Sequence, residues 1–89
     1  MINDMKREQI EKMVVSAIAD TLGCDIADIA QSSNMIDDLG ADSLDAIEIL
    51  MTIEHDLNYE FPDQEYFDSM QNIKTVKDIC DMIEKYINK

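Results

Sequence analysis

Basic residues are scarce in this chain. Seven Lys and Arg stand against 20 Asp and Glu in 89 residues, a formal net charge of −13 at pH 7. Phosphate backbones and anionic membrane surfaces are bound through Lys and Arg, so the balance argues against nucleic acid and against a membrane surface. Apolar runs all fall short of the 18 or so residues a membrane span needs. The N-terminal stretch Met1-Ile2-Asn3-Asp4-Met5-Lys6-Arg7 has no signal-peptide apolar core and runs into a charged helix pattern, so a cytoplasmic location is expected. Two cysteines, Cys24 and Cys80, make no disulfide framework and read as two buried, reduced thiols. One histidine and no cysteine cluster leave no zinc site. Two glycines, one proline and few aromatics, 6%, favour helices over sheets.

What is present is a core-forming share of apolar residues, 46%. This is too much for an acid-driven disordered tail. No linker, repeat or low-complexity tract divides the chain, so residues 1–89 read as one domain. The charge is segregated. Lys6, Arg7 and Lys12 lie at one end and Lys74, Lys77, Lys85 and Lys89 at the other; the 61 residues between Lys12 and Lys74 hold 14 acids and no base. A one-signed middle suits a basic partner or a cation, and equally a need for solubility.

Hydrophobic periodicity predicts three long helices and one short one. Ile10, Met13, Val14, Ala17, Ile18 and Leu22 recur at steps of three and four, giving a helix over 4–21 that stops at Gly23. Residues 24–41 read as a long loop whose Ile26, Ile29, Met35, Ile36 and Leu39 pin it to the core. Asp42 is placed to cap a helix over 43–57, and Pro62 to precede a short one over 63–70. Thr75-x-x-Asp78 resembles a capping box for a last helix over 76–87, with the stripe Val76, Ile79, Cys80, Ile83 and Ile87. The expected fold is all-α, a small antiparallel four-helix bundle with a long loop between helices 1 and 2.

The 43–57 helix has two apolar sides. Ala46, Leu50, Ile53 and Leu57 share one, the expected core side. Leu44, Ile47 and Met51 share a second, rimmed by Asp45, Glu48 and Glu54. The second stripe suits a docking surface, apolar anchors within steering charge. It also suits a wide core face covered by the loop, and both readings stand at this point.

Catalytic groupings are missing. His55 lies twelve residues beyond Ser43 on the same helix, about 18 Å along its axis, so the two form no nucleophile–base pair. An EF-hand loop counted from Asp37 fails at Leu39, Ala41 and Asp42. What remains is Leu39-Gly40-Ala41-Asp42-Ser43-Leu44-Asp45, in which a glycine turn delivers a serine to a helix start. A phosphate on Ser43 would meet free backbone N–H groups and the positive end of the helix, although Asp42 and Asp45 flank it. With no base to activate Ser43, either another protein modifies it or it is an ordinary helix-start serine.

Asp37-Asp38-Leu39-Gly40-Ala41-Asp42-Ser43-Leu44-Asp45 closely resembles the signature of the acyl carrier proteins. Ile47-Glu48-Ile49-Leu50-Met51 through Glu54, then Phe61-Pro62-Asp63 and Thr75-Val76, match in order and spacing, so the resemblance spans essentially the whole chain. It implies a non-catalytic carrier, itself the substrate of a phosphopantetheinyl transferase. Ser43 would receive 4′-phosphopantetheine from coenzyme A through a phosphodiester, and the arm's thiol would hold acyl groups as thioesters. It implies that Asp42, Leu44, Asp45, Ile47, Glu48, Met51 and Glu54 meet basic patches on the transferase, on acyl transferases and on synthase enzymes. It also implies an acyl-chain pocket, here lined by Leu50, Ile53, Leu57, Phe61, Ile73 and Ile79, in a monomeric protein. The chain departs from the family in His55, where an acid is usual, and in a longer 62–75 segment. A specialised carrier for polyketide, aminoacyl or cell-surface lipid pathways is one alternative. An unmodified acidic adaptor or cation-binding helical bundle is the alternative from another class.

Overall fold

Among the described residues, three α-helices form the frame, α1 (Arg7–Leu22), α2 (Ser43–Leu57) and α3 (Val76–Ile87), with one 3-10 turn at Ile26–Asp28. The structure, a computed structural model, describes residues 6–62, 64 and 73–87. Those residues hold no strand, only one isolated antiparallel bridge between Asn34 and Thr75. Of the short helix expected over 63–70, Gln64 is described; the rest, with Tyr66 and Met70, lies outside the described residues.

α1 starts later than its periodicity predicts. Lys6 is extended, and its N–H donates to Gln9 Oε1 at 3.0 Å, so the first helical residue is Arg7. The helix ends where Gly23 enters the left-handed region at φ 70°. There the N–H groups of Gly23 and Cys24 both donate to the Ala19 carbonyl, at 2.8 and 3.2 Å. The capping box expected at the start of α3 is present. Thr75 N–H donates to Asp78 Oδ2 at 2.9 Å and Asp78 N–H to Thr75 Oγ1 at 3.3 Å. Aspartate thus serves where Glu or Gln is usual.

α1 packs against both α2 and α3. The core joins Ile10, Val14 and Ile18 to Ile49, Leu50, Ile53 and Leu57, and to Val76, Ile79, Cys80, Ile83 and Ile87. Each fully buried Ile or Leu contributes about 1.5–3 kcal/mol over an exposed one. Ile49 is wholly buried and widens the core side of α2 beyond the four residues expected. Tyr59, Phe61 and Tyr86 form an aromatic cluster, with ring centroids 5.4–6.4 Å apart, between the end of α2 and the end of α3. Arg7 ties α1 to α3. Its guanidinium contacts Glu11 at 3.0 Å, Asp81 at 2.8 Å and Glu84 at 3.0 Å. Cys24 and Cys80 are not bonded to each other; Cys80 is buried, but Cys24 is only half-buried, unlike the expectation. Burial pushes the Cys80 thiol up to about 11.

The long loop is fastened at its middle, not along its length. Met35 N–H donates to the Lys74 carbonyl at 2.8 Å. The first N–H groups of α3, Val76 and Lys77, donate to Ser33 and Gln31 carbonyls at 3.1 and 2.9 Å. The loop therefore satisfies the otherwise orphaned start of α3. Met35 is buried, and Ile29 and Leu39 are half-buried against the core. Ile26 and Ile36, expected to pin the loop, are instead 59% and 69% exposed. Ile26 lies in the 3-10 turn and Ile36 in the tight turn after Asn34, and neither turn faces the core.

Candidate functional site

The approach to Ser43 is built by one asparagine and one glycine. Asn34 Oδ1 accepts the N–H groups of Ile36 and Asp37 at 2.9 and 2.8 Å, while Asn34 N–H donates to Asp38 Oδ2 at 2.7 Å. This side-chain turn reverses the chain. Gly40 follows at φ 72°, a conformation strained for a residue with a Cβ, and its N–H donates to the Ile36 carbonyl at 3.0 Å. Ala41 N–H donates to the Met35 carbonyl at 2.8 Å, and Ala41 is buried. The chain is thereby fixed on both sides of the point where α2 starts.

Asp42 caps α2, as expected. Its Oδ1 accepts the Asp45 N–H at 3.0 Å, and Asp45 Oδ2 accepts the Asp42 N–H at 3.1 Å. Ser43 is the first residue of α2 and is exposed. Among the described residues its hydroxyl makes no hydrogen bond. Each flanking carboxylate turns one oxygen onto a backbone N–H. That engagement reduces the repulsion that two free carboxylates would exert on a phosphate at Ser43.

Beside Ser43 opens a cavity of about 60 Å³. Leu50, Ile73 and Ile79 line it, three of the six residues expected of a pocket. Ile53, Leu57 and Phe61 do not; they lie within the core and are buried. The remaining lining was missed, and comes from Met35, Ile36, Ala41, Asp42, Ser43 and Ala46. Met35 and Ile36 belong to the loop, where no periodicity assigns a side chain to a face. Ala46 was assigned to the core side, yet it is half-buried and borders the void.

The two readings of the second α2 stripe now separate. Leu44 is 69% exposed and Met51 57% exposed, so the loop does not cover them. Ile47 is half-buried between them. Asp42 and Glu48 are exposed, and Asp45 is half-buried. Glu54 Oε2 accepts the Phe61 N–H at 2.6 Å, so this acid also holds the chain after α2. His55 is exposed in the last turn of α2, away from Ser43. Among the described residues no three His, Cys, Asp or Glu side chains come together to hold a metal ion. No helix there is long and apolar enough to cross a membrane.

Comparison with known proteins gives a consistent result. The family profile described as "Phosphopantetheine attachment site" matches residues 13–83. The chain is 39% identical over 77 residues to proteins named acyl carrier protein from two strains of Porphyromonas gingivalis, covering 86% of this chain and 94% of the relative. It is 43% identical over 72 residues to the acyl carrier protein of Syntrophobacter fumaroxidans, covering 81% of this chain and 84% of the relative.

Proposed function

The chain belongs to the acyl carrier protein family, and from that premise we propose that Ser43 is the residue that bears its 4′-phosphopantetheine. The observation that carries this is the exposed, unbonded Ser43 hydroxyl at the start of α2, next to an apolar cavity. The residues fit the group. A phosphodiester at this position lies beside the helix N-terminus, whose dipole favours an anion. Once attached, the arm supplies a thiol for thioester linkage to acyl groups. The chain itself supplies the hydroxyl, its placement and an adjoining apolar cleft. Its one histidine, His55, lies at the far end of α2, so activation of the hydroxyl is assigned to a phosphopantetheinyl transferase using coenzyme A.

Leu44, Ile47 and Met51, with Asp42, Asp45, Glu48 and Glu54, form the proposed docking face for the transferase, for acyl transferases and for synthase enzymes with basic patches. Exposed apolar anchors within an acidic rim support it. Leu50, Ile73 and Ile79 with Met35, Ala41 and Ala46 form the proposed acyl cleft. Residues 1–89 are taken as one domain, an antiparallel four-helix bundle whose fourth, short helix follows Pro62. The protein is proposed to act as a monomer in the cytoplasm, where the unpaired Cys24 and Cys80 stay reduced.

The intact mass of the protein from its native cells tests the reading. One phosphopantetheinyl group, with or without an acyl increment, supports it. A uniformly unmodified chain sinks it and favours an acidic adaptor.

A further inference from the structure

A second surface lies on the α1 side of the molecule, apart from the proposed α2 docking face. A groove of about 790 Å³ runs between α1 and the 24–41 loop. Its α1 wall includes Glu11, Lys12, Val15 and Ser16, and its loop wall includes Ile26 and Ile29. With Glu8 at its start, the α1 wall follows steps of three and four along one helix face, about 12 Å from Glu8 to Ser16. It shares no lining residue with the cavity beside Ser43, and none of its lining comes from α2.

Two features of this groove point outward. Ile26 is 59% exposed, although it is a large apolar residue in a chain rich in charge. Val15 and Ile29 pack against the core but remain half-buried, with part of each still open to the groove. The charge around these apolar groups has one predominant sign. Glu8 and Glu11 line the groove, Asp25 and Asp28 flank Ile26, and Lys12 is the only base in the lining. Arg7 engages Glu11, whereas Glu8, Asp25 and Asp28 form no ion pair among the described residues. A membrane surface is a poor match, because anionic lipids repel such a rim. An amphipathic helix with an apolar stripe and flanking Lys or Arg is the matching shape and charge.

We propose that the α1–loop groove is a second docking site, for a basic amphipathic helix of a partner protein. A partner held there leaves Ser43, Leu44 and Met51 uncovered, so the chain remains tethered while its α2 face is free. The site does not depend on Ser43 being the attachment residue.

The test titrates a synthetic amphipathic Leu/Lys peptide helix into the full chain and follows backbone amide NMR shifts. Perturbations are expected at Val15, Ser16, Ile26 and Ile29. Ile26→Glu should weaken binding about tenfold or more, the effect of losing one apolar anchor to a like-charged rim. Lys12→Glu should strengthen it, a gain that a folding defect does not produce. A Leu44→Glu/Met51→Glu chain, with the α2 face spoiled, should keep these shifts. Shifts confined to α2, or affinity indifferent to Ile26→Glu and Lys12→Glu, overturn the proposal. Stronger binding to phosphatidylglycerol vesicles than to the peptide, lost in Ile26→Glu, overturns it in favour of a lipid surface.

Discussion

Asp42 and Asp45 hold each other's backbone: Asp45 N–H donates to Asp42 Oδ1 at 3.0 Å, and Asp42 N–H to Asp45 Oδ2 at 3.1 Å. The two acids that flank Ser43 therefore have a structural role apart from any charge they show a partner. Substitution separates the roles. Asp42→Asn keeps the capping oxygen and should leave stability within a few tenths of a kcal/mol, while Asp42→Ala should cost about 1 kcal/mol. For a domain of this size that cost lowers Tm by about 4–8 °C. Thermal melts of the two variants check it. If both slow the attachment of phosphopantetheine equally, the charge matters to the transferase; if only Asp42→Ala does, the cap matters.

Acid should weaken the cap at the start of α3 and the tie between α3 and α1. Burial alone would raise the Asp78 carboxyl, but N–H donation from Lys74 and Thr75 outweighs it and holds the group below its ordinary value of 3.8. Asp81 is held low as well, first by its hydrogen bond with Lys77 and further by Arg7. Both groups have folded values below their unfolded ones. Their contribution is therefore complete above the unfolded value near 3.8 and is lost as pH falls through the lower folded value. Tm should fall below about pH 4. In Asp78→Asn, the pH 7 Tm should be lower and the acid slope shallower. An unchanged slope contradicts the assignment.

Arg7 is a cation facing three acids, and it holds α1 to α3. With a side chain 28% exposed, it is partly shielded from water. Arg7→Met should leave Glu11, Asp81 and Glu84 close together without it, costing about 1–2 kcal/mol at low salt. High salt screens both the attraction and the residual repulsion, so the gap between wild type and variant should narrow. Denaturant titrations at two ionic strengths measure it. Equal gaps at both contradict an electrostatic role.

The helices were legible in the sequence because each carries a 3.6-residue stripe, and all five stripe residues of α3 are buried. The start of α2 was legible because Gly40 and Asp42 each have one task, a left-handed turn and a helix cap. The loop resisted. Ile26 and Ile36 follow no period, and whether a loop isoleucine faces in or out depends on turns set by Asn34 and the 3-10 segment. The lining of the cavity was legible only in part: Leu50, Ile73 and Ile79 were among the residues expected, whereas Ala46 was assigned to the core and Met35 and Ile36 come from the loop.

Ala46 tests the cleft. Ala46→Leu places a larger side chain at its border, about one turn along α2 from Ser43. Attachment of the arm should proceed at the wild-type rate. Thioester hydrolysis of a bound medium-chain acyl group should speed up several-fold, because the chain loses its shelter. Equal hydrolysis rates in the two proteins contradict the cleft's role.

The most direct measurement is the intact mass of wild type and Ser43→Ala after incubation with coenzyme A and a promiscuous phosphopantetheinyl transferase. Wild type should gain one phosphopantetheinyl group and Ser43→Ala none, with both chains retaining the same helical circular dichroism. A gain on Ser43→Ala equal to that on wild type, or no gain on either, contradicts the assignment of Ser43.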